Sequence, residues 1–296
     1  MTNQQAFGGD WTKDKLARVK NYLDAYVRVM KNQRFHTIYV DAFAGTGYQT
    51  LSYRESPGEL LLPELAEQDA IGFLDGSARQ ALQVVPEFSE YIFIEKDKRR
   101  ANELEKLKTA FPSMASKIEV KNEEANKYIA NLCENRDWRK CRAVMFLDPF
   151  GMQVAWDTIQ MIAATQAIDM WYLFPLGVAV NRLLRKDGEI DESIKIRLNE
   201  IFGTTSWYKA FYRREKRMDL FGESHERKQK IADFKVIGDY FVGRLKEAFG
   251  PEGVANNPLL LRNSRNVPLY LLCFAAGNPK GAKIAIKIAR YILKSQ

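Results

Sequence analysis

Four short motifs place polar side chains directly after apolar, strand-like runs. The first runs from Asp41 to Gly47 with the pattern D-x-F-x-G-x-G, in which Gly45 and Gly47 allow a sharp turn and a close backbone approach to a ligand. Glu95 ends the second run, Glu124 and Ala125 follow the third, and Asp148-Pro149-Phe150-Gly151 ends the fourth. Because the carboxyl ends of parallel strands meet at one sheet edge, these motifs should converge on one site.

The residue types at these strand ends suit a nucleoside cofactor. A carboxylate such as Glu95 accepts hydrogen bonds from both ribose hydroxyls. Glu124, or its neighbour Glu123, is suited to accept a bond from an adenine amino group. The first motif lacks the G-x-G-x-x-G spacing that cradles a pyrophosphate, so it favours S-adenosylmethionine (SAM) over a dinucleotide. The acid follows the glycine turn at roughly twice the usual spacing of about 20 residues, which predicts an insertion between the first two strands.

Asp148 would then face the transferable methyl group. A carboxylate there can hold an attacking amine and accept its proton, so Asp148 is the predicted catalytic residue. Pro149 stiffens the turn, and Phe150 is suited to stacking on a base; both are predicted to bind the substrate. A structural strand-to-loop turn is the alternative for this motif, and a solvated strand end is the alternative for Glu95.

The elements that must position these motifs alternate between strand and helix. A helical pattern from about Thr12 comes first. Five strands are predicted from short apolar runs, at residues 38–40, 91–94, 118–120, 143–147 and 168–174. The alternation predicts an α/β fold, Rossmann-like, with a mostly parallel central sheet and helices on both faces.

Three regions are expected along the chain. Residues 1–180 should form the N-terminal helix and the cofactor-binding core, residues 181–256 a basic helical insertion, and residues 257–296 a closing β-hairpin and C-terminal helix of the core. Between Arg182 and Lys230 there are 13 Lys and Arg against 9 Asp and Glu. Aromatic residues among these charges suit single-stranded nucleic acid, and an ordinary amphipathic helix explains them equally well.

Composition narrows the partners. The 296 residues carry a formal net charge of +8, which favours acidic partners such as nucleic acid. The three cysteines have no metal-ligand spacing and the two histidines are far apart, so we expect no metal site. The N-terminus lacks an apolar run and no apolar stretch is long enough to span a bilayer, which predicts a soluble, cytoplasmic protein with no membrane partner.

Taken together, the motifs resemble the three-Cys-motif partner protein (TcmP) family over most of the chain. The resemblance rests on Trp11-Thr12-x-x-Lys15-Leu16, Tyr39 to Gly47, Gly76-Ser77, Phe93 to Asp97 and Phe146 to Gly151. It implies a protein encoded beside a partner with a three-cysteine motif, which this chain itself lacks.

The same motifs are more distantly similar to the RlmJ-type adenine-N6 methyltransferases of ribosomal RNA. This similarity implies a SAM-dependent methyltransferase fold, a SAM site that includes Lys15 and Ser77, and Asp148 as the catalytic acid. Ala78 stands where that group has a proline, and Phe43 where it has a histidine. Asp148-Pro149-Phe150 also departs from the Asp-Pro-Pro-aromatic signature of amino methyltransferases, which leaves the acceptor atom open.

The sequence therefore predicts a SAM-dependent methyltransferase that acts on nucleic acid. Its predicted cofactor-binding residues are Lys15, Asp41, Phe43, Gly45, Gly47, Ser77, Glu95, Glu124 and Ala125. A non-catalytic or regulatory subunit that binds SAM or a related nucleoside, beside a three-cysteine, radical-SAM-like partner, is the second hypothesis. A dinucleotide-dependent enzyme is the third, and the missing G-x-G-x-x-G pattern disfavours it.

Overall fold

The computed structural model describes residues 10–45, 76–218 and 224–294. Gly47 lies outside the described residues, as does the stretch up to residue 75, which includes most of the insertion that the sequence predicts between the first two strands. Within the described residues, no helix is both long enough and apolar enough to cross a membrane.

Strands and helices alternate in the first part of the described chain. In order they are α1 (Asp10–Met30), β1 (His36–Asp41), α2 (Ser77–Leu82), β2 (Glu90–Ile94), α3 (Lys98–Ala110), β3 (Ile118–Lys121), α4 (Ala125–Asn135), β4 (Cys141–Leu147), α5 (Trp156–Ala164) and β5 (Ile168–Phe174). Each of the five predicted apolar runs lies inside one of these strands, so the prediction of five strands is confirmed.

A π-helical turn, Leu176–Val180, follows β5. The later elements are α6 (Glu192–Phe202), α7 (Trp207–Phe211), β6 (Tyr212–Met218), β7 (Ser224–Lys230), α8 (Phe234–Phe249), β8 (Leu259–Arg262), β9 (Pro268–Ala275) and α9 (Ala282–Ile292). Residues 181–256 thus contain helices, as expected, and also a β-hairpin that the sequence analysis missed. The sequences of β6 and β7 are mostly polar and show no alternation of apolar residues from which a strand is predicted.

The central sheet has the strand order β3-β2-β1-β4-β5-β9-β8. Strand β1 pairs in parallel with both β2 and β4, and β3 and β5 extend the parallel set on either side. Strand β9 is antiparallel to β5 and pairs with β8, which confirms the predicted closing hairpin. The strand order reverses at β1, and ligands of such sheets bind outside the carboxyl ends at that point.

Apolar side chains cover both faces of the sheet. On one face, Ile38 and Val40 pack in a cluster with residues of α4, α5 and α8. On the other, Tyr39 and Phe146 pack with residues of α1, α2 and α9. The continuous apolar strands follow from this arrangement, because a parallel sheet is buried on both sides.

The segment between β5 and β8 is joined to the core through stacked aromatic rings. Phe241 of α8 stacks on Phe174 of β5 with ring centroids 3.9 Å apart, and Phe202 of α6 packs beside them. Gly203 ends α6 in the left-handed region, at φ 65°. A Cβ on Gly203 would lie 1.9 Å from Cδ1 of Trp156, so only glycine lets α6 end against this buried ring.

We predict that Gly203→Ala destabilises the fold by about 2–4 kcal/mol, because the left-handed backbone and the overpacked Trp156 ring both oppose a side chain. Gly151 is the matched control, since its φ is +69° but no atom lies within 4 Å of an added Cβ. Gly151→Ala should cost about 1 kcal/mol. Urea denaturation measures both free energies of unfolding, and equal losses in the two variants would contradict the steric explanation.

Candidate functional site

A cavity of about 520 Å³ opens at the carboxyl edge of the sheet. Five of the predicted site residues lie in its wall: Phe43, Glu95, Glu124, Ala125 and Phe150. They come from the segments that follow β1, β2, β3 and β4, which are neighbours in the sheet. The volume is within the range of roughly 300–1,000 Å³ typical of small-molecule sites.

Glu95 follows directly after β2 and is only 7% exposed. Its Oε1 accepts a hydrogen bond of 2.7 Å from the amide of Asp97, which fixes the carboxylate. Its Oε2 faces the turn after β1, where a Cβ on Gly45 would come within 2.5 Å of it. Burial raises the pKa of Glu95, and the amide bond and the charge of Arg100 counteract part of that rise. Gly45 is therefore needed for the turn to approach this acid.

Glu124 is the N-cap residue of α4. Its two carboxylate oxygens accept hydrogen bonds from the amides of Asn126 and Lys127, at 3.0 and 2.8 Å. The carboxylate thus satisfies the first turn of its own helix. Its neighbour Glu123 is exposed and also lies in the cavity wall.

Asn126 connects two of the strand-end segments. Its side-chain amide donates to Glu124 and to the carbonyl of Gln153, while its Oδ1 accepts from the amide of Ala155 and the hydroxyl of Thr158. Asn126 therefore holds the segment after β3 against the segment after β4.

Asp41 ends β1 and is fully buried. Ser77 donates to its Oδ2 at 2.5 Å, and the amide of Phe43 donates to its Oδ1 at 3.3 Å. Burial raises the pKa of Asp41 to about 7; the Ser77 hydrogen bond opposes this rise, and the negative charge of Asp148 reinforces it. The contact with Ser77 joins the end of β1 to the start of α2.

Lys15 and Asp148 form an ion pair beside this acid. The Nζ of Lys15 lies 2.5 Å from Oδ2 of Asp148, and the two side chains are 7% and 20% exposed. The ammonium also lies over the ring of Trp11, 5.3 Å from its centroid. Helix α1 thereby supplies a positive charge to the carboxylate at the end of β4. An acceptor group that binds Asp148 must use Oδ1 or displace the lysine.

The segment after Asp148 forms an ordered turn. The amide of Phe150 donates to Oε1 of Gln153 at 3.1 Å, and Gly151 takes a left-handed φ of +69°. Pro149 is buried, whereas Phe150 is partly exposed and lies in the cavity wall. Of the two predicted substrate-binding residues, Phe150 is therefore the accessible one.

The structure thus places the predicted residues in two groups. The first group lines the cavity and includes Glu95, which Gly45 contacts closely. The second group is the polar cluster of Lys15, Asp41, Ser77 and Asp148.

The sequence analysis missed several residues of the cavity wall. Arg197 and Glu200 of α6 reach it from the segment after β5, and Arg100, Met152 and Gln153 complete this part of the wall. The sequence gave no sign that Arg197 and Glu200 belong to the site, because the pattern of charges along a helix does not show which of its faces lies against a cavity. Gln153 and Asn126 lie within three residues of predicted motifs, and this proximity was the available signal.

No protein-family model and no curated protein sequence matches the chain. Among solved structures it is similar to protein LPL1258 of Legionella pneumophila, described with the family model DUF519, at 13% identity and a TM-score of 0.39, over 82% of this chain and 94% of that one. The methylase candidate HI0767 of Haemophilus influenzae matches at 14% identity and a TM-score of 0.31, over 73% and 99% of the two chains. The methyltransferase candidate yhhF of Escherichia coli matches at 12% identity and a TM-score of 0.29, over 72% of this chain and 86% of that one.

Matches at these identities and TM-scores assign no function to the chain. Its class is defined by its own strand order and by the position of the cavity. The chain has an α/β, Rossmann-like fold, with a parallel sheet closed by an antiparallel hairpin and a cavity at the carboxyl ends of its strands.

The raised pKa of Asp41 predicts a pH effect on stability. The folded state holds a proton on Asp41 up to about pH 7, whereas the unfolded chain loses it near pH 4. The folded state binds more protons in this window, so stability falls as pH rises from about 4 to about 7. Asp41→Asn cannot ionise, and its stability relative to wild type should therefore rise over the same window in urea denaturation.

Asp169 is the matched control for this experiment. It is buried like Asp41, and burial raises its pKa to about 6, against hydrogen bonds from Tyr22 and Gly277. The stability of Asp169→Asn relative to wild type should therefore stop rising near pH 6, about one pH unit below the point at which that of Asp41→Asn stops rising. If the free energy of unfolding of Asp41→Asn differs from that of wild type by a constant amount between pH 4 and pH 7, the raised pKa of Asp41 is contradicted.

Proposed function

We propose that this protein is a SAM-dependent methyltransferase that acts on nucleic acid. The observation that carries the proposal is the carboxylate of Glu95, held in the cavity wall at the carboxyl end of β2, beside the strand at which the sheet order reverses. A fixed carboxylate in this position is suited to bind both hydroxyls of a ribose.

The cavity supports one orientation of the cofactor. Glu95 would hold the ribose and the segment at Ala125 would hold the adenine, which would leave Asp148 and Phe150 at the end of β4 for the acceptor. Both oxygens of Glu124 already accept amides of its own helix. We therefore favour the exposed Glu123 over Glu124 as the acceptor for the adenine amino group.

The chain's own residues would align the acceptor and take its proton. SAM, when bound, supplies an electrophilic methyl group, so catalysis rests mainly on alignment. Asp148 holds the acceptor group and accepts its proton. Lys15 holds one oxygen of this carboxylate through the ion pair at 2.5 Å. Phe150 offers a ring in the cavity wall for a base to stack on.

A second candidate function is favoured by the same ion pair. Lys15 already neutralises Asp148, and the motif lacks the second proline of amino methyltransferases. Both features suit a non-catalytic subunit that binds SAM or a related nucleoside and serves a three-cysteine partner of the kind that the TcmP resemblance implies. Loss or retention of methyl transfer on substitution of Asp148 separates the two candidates.

We expect Glu95→Ala to weaken SAM binding by roughly 100-fold or more, because two hydrogen bonds to a charged acceptor are lost. Isothermal titration of SAM and of its demethylated product measures the effect. Glu103→Gln is the control, since Glu103 is an exposed acid on α3 that pairs with Lys106. Equal affinity in wild type and Glu95→Ala, or no binding by wild type, would refute the cofactor assignment.

Asp148→Ala tests the catalytic role separately. We expect SAM affinity to stay within a few-fold of wild type, because Asp148 lies outside the ribose site, while transfer of labelled methyl to nucleic acid falls by about 100-fold or more. Undiminished transfer would remove Asp148 from the mechanism. Undiminished function with the three-cysteine partner, in the absence of any transfer by wild type, would favour the non-catalytic candidate.

A further inference from the structure

The hairpin of β6 and β7 concentrates positive charge. The two strands pair antiparallel in seven registered positions, from Tyr212 opposite Lys230 to Met218 opposite Ser224. Together they contain seven Lys and Arg and two Glu, a net charge of +5 in a chain whose total is +8. We call these two strands the basic ribbon.

The side chains of the basic ribbon that the structure describes form no apolar face. Of its described side chains, only that of Tyr212, at the first position, belongs to the hydrophobic core, and Arg213 and Arg214 are exposed. An isolated two-stranded hairpin is marginally stable in water. The composition therefore fits an anionic binding surface better than a packing surface.

The root of the ribbon lies at the active edge of the central sheet. The hydroxyl of Tyr212 donates to the carbonyl of Arg185 at 2.9 Å, and the Nζ of Lys230 donates to Oδ1 of Asn181 at 2.7 Å. Residues 181–190 come shortly after the carboxyl end of β5, and β5 is the neighbour of β4, which leads to Asp148. The ribbon is thus rooted beside β5, while the Glu95 side of the cavity belongs to β2 and β3.

We propose that the basic ribbon binds duplex DNA by lying in its major groove. This inference rests on the proposed function and specifies its substrate class. Two strands about 4.8 Å apart and seven residues long make a rod about 23 Å long, and the major groove of B-DNA, about 12 Å wide, admits a two-stranded ribbon.

Two features of the ribbon favour this substrate over other nucleic acids. The major groove of an RNA duplex is too narrow for such an element. Single-stranded nucleic acid is bound by aromatic rings on which bases stack. The two strands contain no Phe or Trp and a single tyrosine, Tyr212, whose hydroxyl is bonded at the root. Exposed arginines along the groove would contact phosphates, and these contacts make binding depend strongly on salt.

The test measures binding of a fluorescent DNA duplex of about 20 base pairs by anisotropy, across a series of KCl concentrations. In Arg213→Gln/Arg214→Gln, the slope of log K against log [KCl] should decrease in magnitude by about 1.8 if each arginine contacts one phosphate. If the two proteins bind the duplex equally at 1 M KCl, this change in slope makes binding by the variant about 60-fold weaker than binding by wild type at 0.1 M KCl.

Lys283→Gln/Lys287→Gln is the matched control, because it removes two exposed charges from α9, outside the ribbon. Its slope should equal that of wild type. An equal decrease of the slope in both double variants, or an unchanged slope in Arg213→Gln/Arg214→Gln, would overturn the proposal. Tighter binding of an RNA duplex or of single-stranded DNA of the same length would overturn docking in a DNA groove.

Titration of SAM into the ribbon variant separates this inference from the proposed function. The variant should bind SAM as wild type does, since Arg213 and Arg214 do not line the cavity. Wild type that binds DNA through the ribbon but does not bind SAM would refute the methyltransferase proposal and leave the ribbon as a DNA-binding element.

Discussion

A parallel sheet imposes the constraint on which the rest of this structure depends. Each parallel strand must be entered from the same edge, so each crossover returns the chain to that edge and leaves every carboxyl end on the other. Strand β1 lies between β2 and β4, and the segments that follow these strands diverge to opposite sides of β1. The cavity forms where they diverge, and five separate pieces of sequence contribute its wall.

Charge at this edge is balanced by contacts between distant segments. Asp41 is buried next to Asp148, and the negative charge of Asp148 contributes to the raised pKa of Asp41. Lys15 lies 133 positions before Asp148 in the chain and supplies the opposing charge. Removal of one member of such a group leaves an uncompensated charge, which is costly in a buried site. Helix α1 is thus part of the site electrostatically as well as part of the core.

The two sides of the sheet's carboxyl edge would bind different ligands. The side of β2 and β3 has the cavity with the hydrogen-bonded acids Glu95 and Glu124, which suits a small cofactor. The side of β5 has the basic ribbon, which suits an extended polyanion. Asp148 and Phe150 follow β4, between the two, where the reacting groups of cofactor and substrate would meet. The ion pair of Lys15 with Asp148 fits a catalytic and a non-catalytic role alike, and only the transfer assay distinguishes them.

The sequence by itself determined the five parallel strands, the closing hairpin and the strand-end positions of Glu95 and Asp148, because apolar runs and the residues that end them are local signals. Only the tertiary structure decided that Lys15 pairs with Asp148, that Glu124 caps its own helix while Glu123 faces the cavity, and that Arg197 and Glu200 complete the wall. The β6–β7 hairpin also came from the structure alone, because a strand without an apolar face has no period that a sequence pattern can reveal. These features depend on distances between segments far apart in the chain, and local sequence patterns carry no information about such distances.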